Sequence, residues 1–152
     1  MNLPARTTRI GLVALLLLLA IQIIPVNRTN PPIDPSRTIY ATQTVPAAVA
    51  DVFERSCNNC HSDQTKWPWY SYVAPVSWVV ARDVHRARRN LNFSRWGNYS
   101  PKKRAEKLED ICEQLVNGDM PDPKYMLFHR SARVTESQRS AVCDWTDEAR
   151  EY

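Results

Sequence analysis

The chain has 152 residues, 43% of them hydrophobic and 24% charged, with a formal net charge of +4. That length suits one domain, and so small an excess of positive charge argues against a nucleic-acid-binding protein. The charge also divides unequally, with four basic and one acidic side chain in residues 1–44 and sixteen against fifteen in residues 45–152.

The N-terminal part differs in kind from the rest. Arg6 and Arg9 precede a run from Ile10 to Val26 that is nearly all apolar, broken by Gln22 and Pro25. A basic flank before an apolar core is the layout of an export signal. No small-x-small cleavage site follows it, so residues 1–26 are expected to be an uncleaved signal anchor. A buried core helix would show a polar face, and this run has none. It is short for a bilayer, which needs about 17–25 residues. The basic flank orients the N-terminus inside and the rest of the chain outside. The expected topology is therefore a single membrane crossing, with the C-terminal domain on the outer side.

Residues 27–44 contain Pro31, Pro32 and Pro35 among polar residues and read as a stiff linker. Residues 45–152 should form the folded domain. Its first helix is expected near Thr44, with Pro46 in the first turn, running into Cys57. A second should start near Pro75, because Val76, Val79, Val80, Val84, Ala87 and Leu91 recur every three or four residues. A third should be capped by Ser100, carry Pro101 at its first position and end at Gly118. Its stripe is Ala105, Leu108, Ile111, Cys112, Leu115 and Val116. A fourth should start at Thr135, with Gln138 completing a capping box and Val142, Trp145 and Ala149 on the inner face. Nothing alternates with period two for long enough to be a strand, so the domain reads as all-α.

Cys57-Asn58-Asn59-Cys60-His61 carries the chemistry. Two thiols three positions apart can each add to one vinyl group of a haem, and the following histidine then lies under the iron. C-x-x-C-H is a haem c attachment signature for this reason. A zinc site would need a second ligand pair at matching spacing, and Cys112 and Cys143, 31 apart, do not supply one. A thioredoxin-like pair needs a strand–helix–strand context, which is missing. A disulfide between Cys57 and Cys60 would be strained within one helical turn. One covalent haem per chain is therefore expected, with His61 as proximal ligand.

The sixth position of the iron has four candidates, Met120, Met126, His85 and His129. Met120 leads, because Gly118-Asp119-Met120-Pro121 follows a helix stop and can drape over the far face of the haem. Met126 sits among Tyr125, Leu127 and Phe128 and suits apolar packing. Trp67, Trp69, Tyr70 and Trp78, with Tyr72, follow the attachment motif and are expected to wall the cofactor. The Nδ1–H of His61 should donate to a backbone carbonyl, with Pro68 and Pro75 as candidates. Cys112 and Cys143 are left over, one on each of the last two helices. An oxidising compartment favours their pairing as a disulfide.

Taken together, several segments resemble the bacterial haem-binding-domain family of small cytochrome-c-like proteins. They are Cys57-Asn-Asn-Cys-His-Ser-Asp-Gln-Thr, Trp67-Pro-Trp-Tyr, Pro75-Val-Ser-Trp, Leu91-Asn-Phe-Ser-Arg-Trp96, Gly118-Asp-Met-Pro121 and the final helix with Trp145. The resemblance implies a cytochrome c fold, a single haem, and His61 with Met120 as axial ligands. It also implies a bacterial inner membrane, with the C-terminal domain in the periplasm. It implies no particular reaction. The family often shows Gly-Arg after the second helix, where this chain has Ala87-Arg88.

Electron transfer is the first functional expectation, since a His/Met site leaves no open coordination position. Partners would be the membrane, through the N-terminal helix, and periplasmic or membrane redox proteins, with no nucleic acid. Residues 82–107 carry nine basic and two acidic side chains, and residues 108–152 carry five and ten. Such a dipolar surface steers docking. The alternative is a haem sensor or peroxidase-type enzyme with a labile sixth ligand.

Overall fold

The structure is a computed structural model that describes residues 5–151. All regular secondary structure among the described residues is helical, as the absence of alternation predicts. The chain forms two compact units, one from residues 1–29 with 67–83, the other from residues 30–66 with 84–152.

The first unit begins with α1 (Ala5–Ala20) and a 3-10 turn (Ile21–Ile23). Within it, Arg6–Ile23 is apolar enough to cross a membrane by length and composition, and none of it is buried. Its 18 residues rise about 27 Å, close to the apolar thickness of a bilayer, about 30 Å. Gln22, which interrupts the apolar run, makes defined contacts. Its Nε2 donates to the Ala74 carbonyl at 3.0 Å, and its Oε1 accepts from the Ala74 amide at 2.9 Å. Arg28 donates to the Ser71 carbonyl at 3.2 Å and lies 4.3 Å over the Tyr72 ring. Residues 67–83 contribute a 3-10 turn (Trp69–Tyr72) and the start of a longer helix.

The second unit holds a short α2 (Ile39–Thr42), then α3 (Ala47–Val52). A π-helical turn (Phe53–Cys57) leads on into α4 (Asn58–His61). The helix that begins in the first unit is α5 (Val76–Asn90), and a 3-10 stretch (Phe93–Asn98) follows it. Then come α6 (Pro101–Val116), α7 (Pro123–Phe128) and α8 (Glu136–Arg150). The cap residues do what the sequence predicts. The Ser100 hydroxyl accepts from the Lys103 amide, and Thr135 and Gln138 form both bonds of a capping box. Gly118 ends α6 with φ +73°, a conformation in which a side chain would be strained. Pro46 is the residue before α3 rather than within its first turn.

The core is built on rings and branched aliphatics. Phe53 stacks on Phe93 at 4.8 Å and meets the edge of Trp145 at 5.6 Å. Ile39, Val49, Val52, Trp96, Leu108, Ile111, Leu115 and Val142 complete it. The Trp145 indole donates to the Thr44 carbonyl at 3.0 Å. Cys112 of α6 and Cys143 of α8 form a disulfide, as their leftover status suggests. Closing a loop of that length stabilises by about 3–4 kcal/mol in the chain-entropy account.

Two elements escape the sequence pattern. Residues 27–44 read as linker, yet Ile39 is fully buried in the core. Asp34 and Thr38 each cap a short turn with their side chains, which folds this stretch locally. One isoleucine among polar residues carries no periodicity. Helix α7 is six residues long and likewise too short to show a stripe.

Candidate functional site

The attachment motif is held in place by its own spacer residues. Asn58 donates to Glu54 at 2.6 Å and to the Tyr40 hydroxyl at 3.2 Å, and its carbonyl accepts from Ser62. Asn59 donates to the Tyr125 hydroxyl at 2.8 Å, while its carbonyl accepts from Thr65 at 2.7 Å. The short α4 would not persist alone; these side-chain bonds fix it. The π-helical turn just before it ends on Cys57, and such turns recur at functional sites.

His61 is oriented from behind. Its Nδ1 lies 3.1 Å from the Leu91 carbonyl. A donor role for Nδ1 leaves Nε2 with its lone pair, the arrangement a metal-ligating histidine requires. The acceptor is thus Leu91, and neither Pro68 nor Pro75 fills that role. Burial holds the His61 pKa below its ordinary value, with the backbone carbonyls of Leu91 and Ala87 opposing and the Lys107 charge adding to the shift.

Leu91 is fixed in turn by a buried polar cluster. Asp63, 3% exposed, accepts from Asn92 at 2.9 Å and from Arg95 at 2.7 Å. The Arg88 guanidinium lies 3.7 Å away and also donates to the Ser62 carbonyl and the Thr65 hydroxyl. The Asp63 amide donates to the Ser94 hydroxyl. This clamp ties residues 62–65 to the chain on either side of Leu91. Asp63→Ala would leave two guanidinium groups without their carboxylate. Breaking the buried Arg88–Asp63 pair in this way costs about 3–5 kcal/mol, so the unfolding midpoint should fall by roughly 6 °C or more. Thermal denaturation followed by circular dichroism checks it, and a variant as stable as the parent would remove the clamp from this account.

A cavity of about 520 Å³ lies beside the motif, lined by Cys57, His61 and Met120 with apolar Leu91, Phe93, Ile111 and Leu115. That is within the range of about 300–1,000 Å³ for ligand pockets. Burial and the neighbouring Cys60 push the Cys57 thiol up to about 12. The hydroxyl of Ser56, another wall residue, is buried without a hydrogen-bond partner among the described residues. Arg89, Lys103, Lys107 and Asp110 add an edge with three positive charges to one negative. Lys107 is 7% exposed. Its ammonium donates to the Asn90 carbonyl and lies 5.1 Å from the centre of the Tyr99 ring. It makes no ion pair among the described residues, and desolvation holds its pKa below the ordinary lysine value.

These residues fit a haem. They offer a thiol and an oriented imidazole, an apolar wall, a thioether, and a buried cation lacking an anion. The thioether is presented by the α6 stop, where the amides of Asp119 and Met120 both donate to the Gln114 carbonyl. Met120 is 38% exposed. It also borders a second cavity of about 290 Å³, together with Met126, Arg133 and Arg139. Met126, His85, His129 and Cys60 are not part of the first cavity's wall. His129 stacks on Tyr125 at 4.1 Å.

Trp67, Trp69, Tyr70 and Trp78 belong to the first compact unit, and the aromatic lining residue of the cavity is Phe93. No local pattern marks Phe93, Lys107 or Asp63 as site residues in the sequence. Phe93 and Asp63 lie within segments that carry the family resemblance; Lys107 had no local signal beyond the basic excess of residues 82–107.

No curated protein and no solved structure matches the chain. A family model described as a haem-binding domain matches residues 16–148, which takes in the attachment motif, the clamp and the cavity wall, and the chain belongs to this haem-binding domain family.

Proposed function

We propose that the protein is a monohaem c-type cytochrome, held by α1 in a bacterial inner membrane with its haem domain in the periplasm, that carries electrons between periplasmic or membrane redox proteins. The observation that carries this reading is the convergence of Cys57, His61 and Met120 on one cavity. Cys57 and Cys60 tether the cofactor through thioethers. His61 ligates through Nε2, with Nδ1 held by Leu91. Met120 would supply the second protein ligand to the iron. Lys107, with Arg89 and Lys103, offers positive charge to the propionate carboxylates. When bound, haem supplies a one-electron iron couple, whose potential the axial ligands and the surrounding charge set.

A second reading has one observation in its favour. Met120 is partly exposed and faces two cavities, which suits a labile sixth ligand and hence a haem sensor or peroxidase-type enzyme.

The test is direct. Membranes from cells that mature c-type cytochromes should yield a haem-staining band on a denaturing gel at the mass of the chain. The reduced-minus-oxidised spectrum should be that of a six-coordinate haem, with the weak Met–iron band near the red end in the oxidised form. A chain that carries no covalent haem would defeat the proposal.

A further inference from the structure

The large exposed apolar side chains of residues 67–83 are confined to one short stretch. Trp69, Tyr72, Val73 and Val76 are 75%, 58%, 45% and 45% exposed. Val79 follows one turn after Val76 on the same helical face and is also exposed. The Arg82–Asp83 pair then ends the apolar character. A contiguous exposed patch of this kind marks a surface that meets something apolar.

The hydrogen bonds of the first unit say what. The apolar window ends at Ile23, and Gln22, one residue earlier, brackets Ala74 through both its amide and its carbonyl. Arg28, just beyond that end, donates to Ser71 and covers the Tyr72 ring. Residues 71–74 are therefore attached to the last turn of the apolar helix. If that helix spans, they lie at the level where hydrocarbon gives way to headgroups. Tryptophan and tyrosine are enriched at that level, because one end of each ring system is apolar and the other is wet. An arginine beside them keeps its charge in the headgroup region while its stem packs on apolar surface.

We infer that residues 69–79 form an interfacial anchor, in which Trp69, Tyr72, Val73 and Val76 enter the outer face of the bilayer beside the end of α1. The inference rests on α1 crossing the membrane, as proposed above. The occupant of the patch is the lipid interface, and the single span gains a second, lateral attachment.

The test uses the full chain reconstituted in vesicles of phosphatidylethanolamine and phosphatidylglycerol that contain a phospholipid with a photoactivatable group near the headgroup. Illumination followed by peptide mass spectrometry should place lipid adducts on residues 69–79 as well as on the end of α1. Trp69→Ser with Tyr72→Ser should lower the yield on residues 69–79 at least about fivefold, and Trp69→Phe with Tyr72→Phe should keep it. Gln22→Ala should lower the same yield while leaving adducts on α1. Adducts on α1 with none on residues 69–79 would overturn the inference. A chain that an alkaline wash strips from the vesicles, with no adducts on α1, would instead refute the spanning helix itself.

Discussion

His61→Ala should abolish normal haem ligation, and Cys57→Ser or Cys60→Ser should sharply reduce covalent haem. The reason differs for each residue. Cys57 lines the cavity, and burial with the neighbouring Cys60 pushes its thiol up to about 12. Serine has no comparable nucleophile to add to a vinyl group, so one thioether is lost while the other can still form. In the proposed site His61 would contribute the nitrogen that meets the iron, and its ring is pre-oriented by Leu91 at 3.1 Å. Alanine removes both the ligand and the orientation. Supporting partners behind a metal-bound histidine are typically worth about 10–100-fold in affinity, and removing the ligand itself should exceed that. Haem staining reads the thioethers, and the spectrum reads the ligation. A His61→Ala protein with an unchanged spectrum would place the proximal ligand elsewhere.

Met120→Ala should convert the site from closed to open. The sulfur is presented on a segment that cannot continue α6, because Gly118 adopts φ +73° and Pro121 follows. A thioether ligand favours the ferrous state and raises the potential. Without it the potential should fall by more than about 59 mV, which is tenfold in a one-electron equilibrium. The ferrous variant should bind carbon monoxide rapidly, whereas the parent should not. Met126→Ala is the control, since Met126 borders the second cavity and not the first. Partly buried as it is, it should cost less than about 2 kcal/mol, the lower limit for a fully buried methionine, and leave the potential unchanged. Rapid carbon monoxide binding by the parent protein would favour the sensor or peroxidase reading over the carrier.

The features legible in the sequence are those whose cause is local. An N-cap needs a hydroxyl and an amide two or three residues on, and a left-handed stop needs a glycine, so Ser100, Thr135 with Gln138, and Gly118 mark helix ends by themselves. The C-x-x-C-H motif is local because two vinyl additions and one ligation must be reached from one helical turn. The apolar run of α1 and the two cysteines left over by the motif are likewise read directly from composition.

Tertiary structure decided the rest, because the partners lie far apart in the chain. The acceptor for His61 is 30 residues away, and no pattern around Leu91 distinguishes its carbonyl from those of Pro68 or Pro75. Asp63 reaches Asn92 and Arg95 across 29 and 32 residues, so its role appears only once α4 and the end of α5 are side by side. Lys107 reads in sequence as one more cation in a basic stretch. Its burial against Asn90 and Tyr99 at the cavity wall makes it a charge in need of an anion. Ile39 joins the core for the same reason, since one apolar side chain shows no period until the surface that buries it exists.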